Sequence, residues 1–358
     1  MSQALRIVSP SGAAYHHTSG AWGREGVDPL WLPFGDGLNG PAFDVANYNG
    51  GLVVVGDFSE AGGVTVRGVA FWDGSAWSAL GGGVGLSASG EGRSVAVYGG
   101  NLYIGGQFTS VNGVSAANFV MWNGSTFSAL GVGVGGQVDT LHVFDGKLWI
   151  GGQFFSAGGA AAVGMAAWNG SAYVSVDGGV VSGSLYATTD FATFGGDLYS
   201  SNGQGSGAIN LFVWGGSGWS AVADTDTDGI YGLAVDATYL YIATHDDSAI
   251  GAVGIPCVGQ YDGATWSAPS GGLGGTNKQA NAVHVWDSTI VAGGNFTSPA
   301  ANVARHSGSQ FVGFGDGLNG AVYGFTTFNG YLVAVGDFDK SGALTRNHIA
   351  YWSVAETP

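Results

Sequence analysis

Short runs rich in β-branched and aromatic residues recur along the chain, and paired turn residues cut each run from the next. Residues 95–98 and 141–144 read as first strands. They end at Gly99-Gly100 and Asp145-Gly146, the pairs a two-residue hairpin needs when both central residues take φ > 0. Asn49-Gly50, Gly195-Gly196 and Asn329-Gly330 mark the same point elsewhere. A second strand follows, as in residues 102–108, then a loop such as 156–159. The third strand ends in an aromatic: Trp72, Trp122, Trp168, Trp214 or Tyr261. Another tight pair, of which Asp73-Gly74, Asn123-Gly124, Asn169-Gly170, Gly215-Gly216 and Asp262-Gly263 are examples, leads to a fourth strand. That strand carries Trp77, Phe127, Tyr173, Trp219 or Trp266.

The residue that opens each second strand (Leu52, Leu102, Leu148, Leu198, Leu240, Ile290, Leu332) returns about every 47 residues. Four antiparallel strands per unit, repeated seven times, predict an all-β, seven-bladed β-propeller of four-stranded blades. The seventh unit stops after Tyr351-Trp352, but residues 31–34 supply a strand near the other end. The heptapeptide FGDGLNG at 34–40 is repeated at 314–320, and Gly56-Asp57-Phe58 recurs as Gly336-Asp337-Phe338. The spacing therefore predicts that an N-terminal strand completes the last blade, which removes two sheet edges. Residues 1–28 have no repeat counterpart and read as an arm, with 29–358 as one propeller.

Composition sharpens this picture. The 69 glycines lack a three-residue period and fit turns, while 45% hydrophobic residues supply a core. A net charge of -16, with only nine Lys and Arg, disfavours nucleic acid, because no basic stripe is present. Cys257 is the one cysteine; it has no internal disulfide partner and no metal-ligand spacing, and reads as a small buried residue. No run approaches the ~18 apolar residues of a membrane helix, so no membrane insertion is expected. The first ten residues lack the pattern of a classical export signal.

The Gly-Gly doublets Gly105-Gly106, Gly151-Gly152 and Gly293-Gly294, each followed by an aromatic-Asx-Gly hairpin, resemble the kelch and galactose-oxidase class of propeller over about residues 29–353. The doublet is broken in units one, four, five and seven, and the hairpin aromatics are closer together than in the kelch pattern. The copper ligands of galactose oxidase have no matching constellation. The resemblance implies protein or glycan binding.

Five residues past each marker stand Asp57, Gln107, Gln153, Gly203, His245, Asn295 and Asp337. They fall on the face of the longer loops, where a ligand surface is expected. The six polar ones are candidate ligand-binding residues, with capping of loop N–H groups as the alternative. Asp57 and Asp337 are also an acid pair to weigh for glycoside hydrolysis. Asp224, Asp226 and Asp228 have the D-x-D-x-D-G spacing of a Ca²⁺ loop, although Val235 stands where an EF-hand has its closing Glu. Calcium is thus a candidate ion in a protein that requires no cofactor. His142 and His284 share a first-strand position and read as structural or channel-lining. No catalytic constellation stands out, and no enzyme activity is expected.

The leading expectation is a non-catalytic binding or structural propeller: a phage-like virion component, in a tail or decorating a capsid. It would contact host-surface glycans, or neighbouring virion proteins through the N-terminal arm, on a virion or extracellular surface. Self-association is open to it. An intracellular, cytoplasmic kelch-like interaction module is the alternative, and a carbohydrate-active enzyme the third reading.

Overall fold

The computed structural model describes residues 6–8, 14–18, 21–24, 30–83, 85–87, 89–174, 176, 187–203, 210–223, 229–250 and 253–352. Its repeating element is an antiparallel ladder of first, second, third and fourth strand. In the second unit these are Glu91–Tyr98, Asn101–Gln107, Phe119–Trp122 and Phe127–Ala129. Alternation along the second strand buries both of its faces between neighbouring units, and Leu102, Ile104, Leu148, Ile150, Val53 and Val55 are fully buried. The cores are accordingly clusters between adjacent units: Val53 and Val55 of unit one pack with Leu102 and Ile104 of unit two.

The propeller stands, but the expectation of seven four-stranded blades is contradicted. Five blades are separate sheets of four or five strands, begun by the first strands Ala42–Tyr48, Glu91–Tyr98, Val134–Phe144, Thr188–Phe194 and Val322–Phe328. The strands of repeat units five and six instead share one eight-stranded sheet. The join is the pairing of His245 with Gln279. In unit five the second strand Leu240–Ile250 carries no Gly-Gly and no Phe after His245. In units one, two, three, six and seven a buried Phe (Phe58, Phe108, Phe154, Phe296, Phe338) stands at that place.

Closure is made by Trp31–Pro33, which pairs with Ile349–Trp352 in the register Trp352↔Trp31 and Tyr351↔Leu32. Trp31 is wholly buried, with its ring 5.8 Å from Phe314 and 5.5 Å from Trp352. Ahead of it, Arg6–Val8, Ala14–Thr18 and Ala21–Arg24 form a three-stranded antiparallel sheet of their own. Among the described residues, no helix is long and apolar enough to cross a membrane.

Candidate functional site

The register shifts in every first strand one residue before Asp44, Ser94, Thr140, Asp190, Gly232, Ala282 and Gly324, and Val134–Phe144 has a second shift between Val134 and Gly136. These are β-bulges, which leave an extra residue out of the ladder and re-aim its side chain. Where a glycine sits opposite the bulge, a Cβ on Gly56, Gly106, Gly294 or Gly336 would run into the carbonyl of Pro41, Glu91, Gln279 or Ala321. The second glycine of each doublet is required by this close approach.

The bulged residues are Phe43, Arg93, Asp139, Thr189, Tyr231, Asn281 and Tyr323, all half-buried. They stand at the loop-face end of the innermost strands, and several touch around the axis. Phe43 lies 5.7 Å from Tyr323, and the Arg93 guanidinium sits 5.2 Å above the Phe43 ring. Arg93 also pairs with Glu91 at 2.7 Å and approaches Asp139 at 3.7 Å. Gln137 donates to Asp139 at 2.6 Å, and burial raises the Asp139 carboxyl above the usual range against the lowering effects of Gln137 and Arg93. The result is a mixed aromatic and charged rosette at one mouth of the axial channel.

The candidate residues read from the sequence form a collar outside this rosette. Asp57, Gln107, Gln153, Asn295 and Asp337 are exposed, and His245 is half-buried within the joined sheet. Gln107 pairs in register with Glu91, Gln153 with Gln137, and Asn295 and His245 with Gln279. Gln153 reaches Asp139 at 3.5 Å, which ties collar to rosette. Asp337 lies 3.9 Å from His348, whose pKa burial lowers. Capping of the loops falls to asparagines. Asn39 accepts from the N–H groups of Ser59 and Glu60, Asn319 from Asp339 and Lys340, and Asn118 from Phe108. The Asp224, Asp226 and Asp228 loop lies outside the described residues. Among the described residues no three His, Cys, Asp or Glu side chains gather as a metal cluster.

Two acids escape a sequence reading. Asp44 accepts from the N–H groups of Val45 and of Val95 in the next unit, with Ser94 at 3.2 Å. Asp190 accepts from Phe191 and from Leu233 of the next unit, with Thr140 of the preceding one at 3.3 Å. Each carboxylate braces neighbouring units beside the axis. Burial raises Asp44 to about 6. It raises Asp190 to about 7, with the Asp44 charge adding to the rise. The histidines brace in the same way: His142 bonds Thr193 at 2.8 Å and His284 bonds Thr327 at 3.0 Å, both in the following unit. Burial holds both imidazoles down to about 4, so they are neutral at pH 7.

No family model matches the chain, and no curated protein matches it. Among solved structures it is similar to the WD40 β-propeller domain of Doa1, at 14% identity and a TM-score of 0.56, over 90% of this chain and 95% of that one. It is similar also to the extracellular domain of BT4673 from B. thetaiotaomicron, at 10% identity and a TM-score of 0.61. That match covers 92% of this chain but only 40% of the other. The computationally designed Ika8 protein matches at 12% identity and a TM-score of 0.54, over 89% and 98%. At these identities the likeness is one of fold, and the class it defines is the β-propeller. The kelch-like kinship expected from the doublets is not shown.

Proposed function

We propose that the protein is a non-catalytic binding propeller whose ligand surface is the loop face. One observation carries this reading. Among the described residues, five of the seven exposed large hydrophobics are Val64, Val132, Phe155, Val163 and Leu344, and all five belong to loop-face segments. Phe155 is 61% exposed and Val132 70% exposed, in the unit that also carries Gln153 and Asp139. Exposed apolar side chains beside a polar collar are the composition of an interaction surface. A grafted surface of this kind, rather than the fold, sets a propeller's partner.

The finer reading, a virion component that meets host glycans or neighbouring particle proteins, rests on the sequence alone. Asp57 and Asp337 are both exposed, and the acid pair weighed for hydrolysis gains no enclosed site from them. The test is a broad glycan array probed with multivalently displayed protein, because single-site binding of glycans is weak. Specific binding in calcium is the expected result, and its loss in EDTA points to the Asp224, Asp226 and Asp228 loop. Absence of binding in both conditions overturns the glycan reading in favour of protein docking.

A further inference from the structure

The opposite face, where the tight turns lie, carries a cleft between units three and four. It has a volume of about 470 Å³, within the ~300–1,000 Å³ of small-molecule sites. Phe144, Trp149 and Trp214 line it together with Asp145, Lys147 and Asp197.

The cleft exists because two devices used by sister units are missing. At other junctions an aromatic at the end of the first strand reaches the next unit's third-to-fourth turn. A methyl group placed on Gly124 would lie 3.5 Å from the Tyr48 hydroxyl, one on Gly170 3.6 Å from that of Tyr98, and one on Gly263 3.9 Å from Phe194. Phe144 is the equivalent residue here, yet nothing comes within 4 Å of Gly216. Gly74 and Gly308 are open too, but their turns keep a polar side chain. In the sister turns Asp73, Asn123, Asn169 or Asp262 accepts from the N–H groups two and three residues on. Unit four has Gly215 at that place, so the equivalent donors of Ser217 and Gly218 have no such side chain to meet. Trp214 is half-buried, whereas Trp72, Trp122, Trp168 and Trp352 at the same position are buried. Trp149 supports it edge-to-face at 5.3 Å.

We propose that this cleft binds a neutral sugar, one or two pyranose rings, with an apolar sugar face against Trp214 and its hydroxyls shared among Asp145, Asp197 and Lys147. Aromatic surface beside a few convergent polar groups is the makeup of an orienting small-molecule site. Lys147, held at 2.8 Å by Asp145, offers donors next to acceptors, which suits hydroxyl groups. The site is independent of the loop-face surface.

Titration of the full chain with maltose, cellobiose and lactose, by calorimetry, tests it. At least one disaccharide binds saturably in the millimolar range, and Trp214→Ala weakens it at least about tenfold, or ~1.4 kcal/mol. Phe144→Trp copies Trp286, the residue at the same place in unit six, where its Nε1 donates to Gly330. This variant fills the cleft without asking for a new fold, and it abolishes binding while leaving the thermal midpoint within a few degrees. Leu344→Ala, on the other face, leaves binding unchanged. No saturable heat with any of the three sugars, binding that survives Phe144→Trp, or saturation by choline in place of the sugars overturns the proposal.

Discussion

Single side chains at left-handed backbone positions decide the loops. The residue before the third strand has φ near +65° in five units, Gly68 at 66°, Asn118 at 61°, Gly164 at 67°, Asn302 at 64° and His348 at 69°, and Cys257 at 69° holds the equivalent place within the longer strand Val253–Tyr261. Glycine and asparagine take this conformation readily; Cys257 and His348 do so only under the hold of their surroundings. Asn302 adds two bonds, accepting from Phe296 N–H and donating to Leu318 at 2.8 Å. Asn302→Ala loses both and strains the backbone, and is expected to cost about 2–4 kcal/mol. Asn302→Gly removes the same bonds but keeps the conformation open, so it should cost about 1 kcal/mol less. Urea unfolding of both variants checks this ordering, and equal losses would remove the backbone from the explanation.

Elements show what a sequence can and cannot announce. The hairpin pairs were legible because a two-residue turn demands φ > 0, as found at Asn49, Asp145 and Asn329. The closing strand was legible because the duplicated heptapeptide places Phe34 and Phe314 in equivalent contexts. Propeller closure then predicts two outcomes for truncation. Removing residues 1–28 should leave the thermal transition of the ring in place. Removing 1–34 also takes out Trp31, whose truncation alone would cost about 3–5 kcal/mol, and bares the edge of Ile349–Trp352 to aggregation. Light scattering during a thermal scan separates the two, and matching curves would contradict the role given to Trp31–Pro33. The bulges were not legible. One extra residue leaves no chemical signature, and Phe43, Arg93, Asp139 and Asn281 share none. The joining of units five and six was hidden for a related reason, since counting repeats does not show that His245 of Leu240–Ile250 pairs with Gln279. The collar was legible as exposed polar positions, but the rosette within it arises from contacts such as Phe43 with Tyr323, far apart in the chain.

Across the whole molecule, the axial carboxylates couple stability to pH. Asp44 and Asp190 have folded-state pKa values of about 6 and about 7, above the ~3.9 of an unfolded Asp. A raised acid binds its proton more tightly in the folded protein. Its contribution is therefore whole below about pH 4 and is lost as pH rises through about 6 to 7. Relative to a double Asp44→Asn, Asp190→Asn variant, the wild type should lose thermal stability between about pH 4 and 8. Parallel profiles would show that neither acid holds its proton in the folded ring.

The same ring separates two faces, and the central claim is that the loop face carries the main ligand surface, apart from the sugar cleft of the turn face. The most direct measurement compares the wild type on the partner or array ligand it recognises with two variants. One is the collar triple substitution Gln107→Ala, Gln153→Ala and Asn295→Ala; the other is Trp214→Ala on the turn face. Loss of at least about tenfold in affinity, or ~1.4 kcal/mol, in the collar variant alone is the outcome predicted. Binding untouched by the collar variant, with or without a loss in Trp214→Ala, would contradict it.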